Sequence, residues 1–342
     1  MTFEAGSSKK YPKGISFLFA VGTLAALGIS SNVSTAQSAP PKSASQGQQS
    51  SAQASAPGKS SELQPDQQSF PSASEAVEAL VTAVHKDDQQ ALLKVLGPNA
   101  KELISSGDDA EDKAARAQFM KRYRQMHRLV NEPDGTTTLY IGAENWPTPI
   151  PIVHKGDQWY FDTAAGKQEI LYRRIGKNEL AAIQVCRELV DAQKEYYGQS
   201  HDGEEHVYAQ QIYSDPGKQN GLYWTASSGQ AASPIGPLLA VAAKHGYGKP
   251  EDQERQPFHG YYFHILKGEK LGGHTQSYIV DGKMTRGFAF VAYPAEYRSS
   301  GVMTFIVNQD GIVYEKDLGS RTADIVKNLT QYQRDKTWRK AD

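Results

Sequence analysis

The stretch N-Q-D-G-I-V-Y-E-K-D-L-G at residues 308–319 decides between a metal protein and an antiparallel sheet. Five acidic or amide side chains fall within ten residues, around one glycine. A calcium loop of the helix–loop–helix kind needs oxygen ligands at positions one, three and five, and Glu at twelve. Counted from Asn308, position five is Ile312 and position twelve is Gly319, so two ligand positions fail. The flanks are wrong as well: 303–307 and 312–314 are apolar, β-branched runs that read as strands. Asn308-Gln309-Asp310-Gly311 is therefore a hairpin turn, with Asp and Gly supplying positive φ. Alternation then places Glu315 and Asp317 on one face of the outgoing strand, and Tyr314 and Lys316 on the other. Val280-Asp281-Gly282-Lys283 carries the same signal, and the two turns are assigned to one antiparallel sheet.

Outward from there, 260–267, 277–280, 288–293 and 302–307 read as strands. A final amphipathic helix, with Ile325, Val326, Leu329 and Tyr332, begins near Thr322. Upstream, a polar, irregular stretch reaches to about 257, and a short helix is expected within it at 238–245. Before it lies a helix read from Asn178 as N-cap to Gly198 as C-cap, with Leu180, Ile183, Cys186, Leu189 and Val190 at helical spacing.

The segment before that helix has its own pattern. Ser72 and Glu75 have capping-box spacing, and Val77, Leu80, Val81 and Val84 form an i, i+3, i+4, i+7 stripe. Leu92, Leu93 and Leu96 belong to a second helix ended by Gly97-Pro98. A third runs from about Asp109 to His127, with Phe119, Tyr123 and Met126 on one face. Strands at 136–141, 152–154 and 158–161 follow, and Pro147, Pro149 and Pro151 confine the connecting stretch to an edge or loop. Helices first and an antiparallel sheet after them define an α+β domain. Its element order resembles small cone-shaped domains of the nuclear-transport-factor or cystatin type.

The first forty residues read as a targeting segment. Lys9, Lys10 and Lys13 precede an apolar run at 15–29, and Ser34-Thr35-Ala36 offers small residues for cleavage. A secretory signal peptide at 1–36, cut near Ala36, is the expectation, with an uncleaved anchor as the alternative. Residues 37–69 are rich in Ser, Ala, Gln and Pro, too polar to offset the entropy of ordering, and are expected to be a disordered tether. The expected organisation is completed by a small α+β domain at 70–170 and a helix-plus-antiparallel-sheet domain at 171–342.

Composition removes several functions. The net charge of −1 gives no whole-chain argument for nucleic acid or anionic membranes. One Cys among 342 residues forms no intrachain disulfide and no multi-Cys metal centre. Cys186 lies on an apolar helical stripe and reads as a small hydrophobe. No Gly-x-Ser-x-Gly elbow or phosphate-cradling Gly-Lys-Ser/Thr loop occurs.

Three groups remain as candidate sites. His201-Asp202-Gly203-Glu204-Glu205-His206 is the densest set of possible metal ligands, with His201, His206 and Glu205 as the candidate donors. The plainer reading is a solvated polar loop. Tyr223, Trp224, Tyr261 and Tyr293 are candidates for a groove that stacks on a sugar or peptide; core aromatics are the plainer reading. His259 and His264 differ by an odd number and face opposite sides of a regular strand, and with His274 they form a third, weaker group.

Several long runs carry a family likeness: Trp146-Pro147-Thr148-Pro149-Ile150-Pro151, then 159–167, 173–183, Gly260-Tyr261-Tyr262-Phe263 and 301–308. Together they resemble the exported bacterial family catalogued as domain of unknown function 2950, from about Phe70 to the C-terminus. The resemblance implies export and a soluble body, and brings no activity. The second half is similar to the soluble, pilin-like domains of type IV pilins, but lacks the N-terminal membrane-embedded half needed for filament assembly.

Two function classes follow. One is a periplasmic or secreted, non-catalytic binding module whose partner is an envelope protein, a glycan or a peptide. It uses no cofactor and no nucleic acid, and touches membrane only through an uncleaved leader. The other is an envelope hydrolase or metal-dependent enzyme using a His/acidic cluster.

Overall fold

The computed structural model describes residues 62–104, 109–225, 232–236 and 257–341. The expected leader, the tether up to residue 61 and the helix at 238–245 lie outside the described residues. The protein is α+β, and its contacts divide between Ile170 and Leu171 into two units with separate cores.

The first unit begins with helix α1 (Ala73–His85), whose N-cap Ser72 accepts from the Glu75 N–H. Its stripe buries Val77, Leu80, Ala83 and Val84. Helix α2 (Gln89–Leu96) is capped by Asp88 and stopped by Gly97 at φ 87°. A short α3 (Lys101–Ile104) and α4 (Asp109–Gln125) follow. Five strands come next: β1 (His127–Asn131), β2 (Thr137–Ile141), β3 (Trp146–Pro147), β4 (Ile152–Lys155) and β5 (Gln158–Phe161). They form one antiparallel sheet of order β1-β2-β4-β5, with β3 also on β2. Strand β1 is a finding the sequence does not announce: Leu129 and Val130 alone are apolar in H-R-L-V-N. The three-proline stretch is indeed reduced to a two-residue strand. Gln67 is buried and donates to the Phe161 carbonyl at 2.8 Å, and the Gln68 N–H donates to Lys94 O. Residues just before Phe70, assigned to the tether, thus belong to the folded body.

Helix α5 spans Thr163–Tyr197, 35 residues. This corrects the start read at Asn178. Asp162 is the residue that caps it, its carboxylate accepting from the Ala165 N–H at 2.9 Å. Asn178 lies inside the helix and turns outward to donate to the Ser300 carbonyl at 2.8 Å.

The second unit is built on strands β6 (Tyr261–Leu266), β11 (Ala289–Pro294), β12 (Met303–Asn308), β13 (Tyr314–Asp317) and β14 (Arg339–Lys340), in the order β14-β13-β12-β11-β6, all antiparallel. Between β6 and β11 run two small ribbons: β7 (Gly268–Leu271) with β8 (His274–Ser277), and β9 (Ile279–Val280) with β10 (Lys283–Met284). Ala289, Phe290, Val291 and Ala292 are all fully buried, so both faces of β11 are covered, as a continuous apolar run requires. Ile183, Cys186, Leu189 and Val190 of α5 share this core, and a six-residue helix, α6 (Thr322–Lys327), lies against β11. Helix α6 is shorter than its apolar pattern suggests: Tyr332 is buried beyond its end, its N–H donating to Gly268 O.

The Asn308–Gly311 turn is present, closed by the Gly311 N–H on Asn308 O at 2.9 Å with Gly311 at φ 75°. Glu315 pairs Phe305 across the sheet and Asp317 pairs Met303. The second turn forms too, with Asp281 at φ 49° and Gly282 at φ 80°, the type I′ signature. It joins β9 to β10, so the two turns sit in different sheets, contrary to the single sheet expected.

Candidate functional site

The His201–His206 loop is the natural starting point. His201 and Glu204 exchange both backbone hydrogen bonds, at 3.0 and 2.9 Å, around Asp202 at φ 51° and Gly203 at φ 84°. The apparent ligand cluster is thus a type I′ turn. His201 is buried, and its ring stacks on Tyr196 at 3.9 Å and meets Trp224 at 5.3 Å. Its Nε2 lies 3.1 Å from the Tyr196 carbonyl oxygen. His206 instead stands against Tyr197, with ring centroids 5.4 Å apart, and Glu205 is exposed. Among the described residues no three or more His, Cys, Asp or Glu are grouped to hold a metal ion, and His201, Glu205 and His206 are not brought together as donors.

The four aromatics do not share a groove either. Tyr261 is fully buried, its hydroxyl donating to Met303 O at 2.9 Å and its ring near Phe305. Trp224 is a core residue beside His201. Tyr223 makes an edge contact with Tyr213. Tyr293 stands with Tyr262 and His264 on the face of β11 and β6 opposite Tyr261, as the Tyr262–Tyr293 register dictates.

The fold places a cleft of about 530 Å³ beside the His201 turn. Its lining includes Asp202 and Glu204 of that turn, Tyr196 from the end of α5, and Asp281, Gly282 and Lys283 of the second Asp-Gly turn. Tyr208, Gln210, Gln211 and Asn220 line it as well. These segments are tied together. Lys283 forms an ion pair with Glu204, Gln210 Nε2 donates to Gly282 O at 2.7 Å, and the Tyr208 N–H donates to Met284 O. Asp202 accepts from the Gln219 N–H at 2.8 Å, and Gln211 donates to the Asn220 amide oxygen. Tyr196 donates its hydroxyl to Gln219 O at 2.7 Å, and burial pushes its pKa up to about 12, so it is a neutral phenol. The repeated Asp-Gly pair, at 202–203 and 281–282, is the sequence signal that could have found this cleft.

The runs that carry the family likeness are explained by architecture. Asn178 reaches Ser300, and Glu179 accepts from the Val302 and Met303 N–H groups at 2.9 and 3.0 Å. A Cβ on Gly260 would stand 2.7 Å from Asn178 Nδ2, and one on Gly166 2.5 Å from Ile150 Cγ1. These glycines are close-approach points between elements, away from the cleft. No curated protein and no solved structure matches the chain. A family model described as protein of unknown function, DUF2950, matches residues 67–341, which is both folded units, and the chain therefore belongs to the DUF2950 family.

Proposed function

We propose that the protein is an exported, non-catalytic recognition module whose second-unit cleft receives a short neutral glycan. The observation that carries this reading is the lining of the cleft. Amides (Gln210, Gln211, Asn220), carboxylates (Asp202, Glu204, Asp281) offset by two lysines (Lys267, Lys283), and neutral phenols (Tyr196, Tyr208) line one concavity. Sugar hydroxyls donate and accept at once, and such a mixture of planar acceptors, amide donors and ring faces serves both needs. The volume suits a few sugar rings rather than a polymer surface. Glu204 is held by Lys283 and Asp202 by a backbone N–H, which supports the acids as fixed acceptors rather than as a paired acid and base. Export rests on the Lys9–Ala36 leader pattern; mass spectrometry of protein recovered from culture should find the N-terminus just after Ala36, and retention of residues 1–36 would favour the anchor.

The binding claim is tested by isothermal titration of the full chain with a panel of neutral oligosaccharides, beside wild-type-like folded variants. Asp281→Asn keeps a residue tolerant of positive φ while removing the charge, and Gln211→Ala removes an amide. Saturable binding weakened in both variants, with the sugar recovered uncut, is the expected result. Cleaved sugar would establish the hydrolase alternative, and no binding across the panel would remove the glycan reading.

A further inference from the structure

The C-terminal edge of the second unit carries a feature with different chemistry from the cleft. Residues 334–340 read R-D-K-T-W-R-K. Arg334, Asp335, Lys336 and Trp338 line a shallow hollow of about 340 Å³. Lys316 on β13 stands 5.8 Å from the centre of the Trp338 ring. Arg334 lies over the Tyr314 ring at 4.6 Å, and its Nη1 donates to the Tyr314 hydroxyl at 2.6 Å. Lys340 pairs Tyr314 across β13–β14, so it falls on the same sheet face as Tyr314 and Lys316.

Among the described residues two acids lie close by, and both are engaged. Asp335 accepts from the Thr337 N–H at 2.8 Å and from its hydroxyl, which builds the turn that presents Trp338. Glu315 pairs Arg339 at 3.1 Å. Lys316, Arg334, Lys336 and Lys340 therefore form a locally cationic group around two aromatic rings. Blunting of an exposed sheet edge accounts for charges on the two-residue strand β14. It does not account for Arg334 and Lys336, which precede that strand, nor for a tryptophan held half-exposed among them.

We propose that this hollow is a second binding site, for a carboxylate-bearing oligosaccharide. The chemistry matches at both levels: guanidinium and ammonium groups take the uronate carboxylates, and the ring of Trp338 takes the apolar face of a sugar. A nucleic acid is the weaker fit. The chain has a net charge of −1, and acids are interspersed through the patch, whereas a nucleic-acid surface is a continuous basic stripe. This site uses no residue of the cleft, so it stands or falls separately from the glycan reading above.

The test is a titration of the full chain with an oligogalacturonate, followed by calorimetry and by tryptophan fluorescence. A neutral oligosaccharide of equal length and a single-stranded oligodeoxythymidylate are titrated in parallel. Wild type should bind the uronate saturably, more weakly as salt is added, with a change in fluorescence. Trp338→Phe should lose the fluorescence change. The exposed double variant K336E/K340E should keep the wild-type melting temperature and lose about tenfold or more in affinity, since two charge-assisted contacts are removed. Absence of saturable uronate binding, or binding that the double variant leaves intact, overturns the proposal. Equal or tighter binding of the oligonucleotide, or neutral-sugar binding that K336E/K340E weakens as much as it weakens uronate binding, overturns its assignment to acidic saccharides.

Discussion

Gly301 offers the sharpest test of how the second unit is held together. A Cβ built there would fall onto the Tyr261 hydroxyl, and would lie 2.6 Å from its Cζ and 2.7 Å from Cε2. A Cβ does not come so close to another heavy atom, so something must move. The obstacle is not a flexible chain end: Tyr261 is fully buried, its ring packs near Phe305, and its hydroxyl is bonded to Met303 O. Gly301→Ala must therefore displace the ring and break that bond. Overpacking costs about 1–3 kcal/mol and the hydrogen bond about 1 kcal/mol, or roughly 2–4 kcal/mol together. For a unit of this size that is a loss of about 5–15 °C in melting temperature. The assay is thermal unfolding of the full chain by near-ultraviolet circular dichroism, with hydrogen exchange to locate the loosening at 258–266 and 296–308. Tyr261→Phe alone should cost about 1–2 kcal/mol, because the Met303 carbonyl is left without its donor. In the Gly301→Ala background the same change removes the atom most severely overlapped, so it should cost less or turn favourable. Equal stability of Gly301→Ala and wild type, or strictly additive costs, would refute the close-approach argument.

Asn178→Asp separates two readings of α5. A helix N-cap accepts Asp as readily as Asn, whereas an aspartate cannot donate to the Ser300 carbonyl, so chemical denaturation should show a loss of about 1–3 kcal/mol. At the alkaline end, burial raises the Cys186 thiol from 9.0 to about 12 and the Tyr196 and Tyr332 phenols from 10.0 to about 12. The unfolded chain gives up these protons first, so stability is complete below pH 9 and falls as pH rises toward 12, by up to about 1.4 kcal/mol per pH unit for each group. A pH series of denaturation midpoints checks this, and a flat profile between pH 9 and 11 would contradict it. At the His201 turn, His201→Ala should cost about 2–3 kcal/mol through lost packing, while His206→Ala should stay within about 0.5 kcal/mol. Neither zinc nor a chelator should shift the wild-type melting temperature, and a shift abolished in the double variant would restore the metal reading.

The parts of the fold that were legible share one property: a local signal that no tertiary contact had reason to override. Ser72 with Glu75, the continuous runs of β11 and β12, and Asp281-Gly282 are of this kind. The errors have an equally definite cause. Asn178 has the residue type of an N-cap, and in an isolated helix it would serve as one. Here its amide has a tertiary partner in Ser300, while Asp162, sixteen residues earlier, supplies the cap. Strand β1 was hidden because H-R-L-V-N shows no alternation; it exists through its register with Thr137–Ile141. The aromatic groove failed because residue type says nothing of depth: Tyr261 and Trp224 look like binding residues and are buried. The most instructive case is the His201 loop. Asp202-Gly203 is the same dipeptide as Asp281-Gly282 and forms the same turn, yet two flanking histidines drew attention to their ring nitrogens. The Asp-Gly turn rule makes this metal candidate a hairpin tip, and the cleft is lined by residues of both tips.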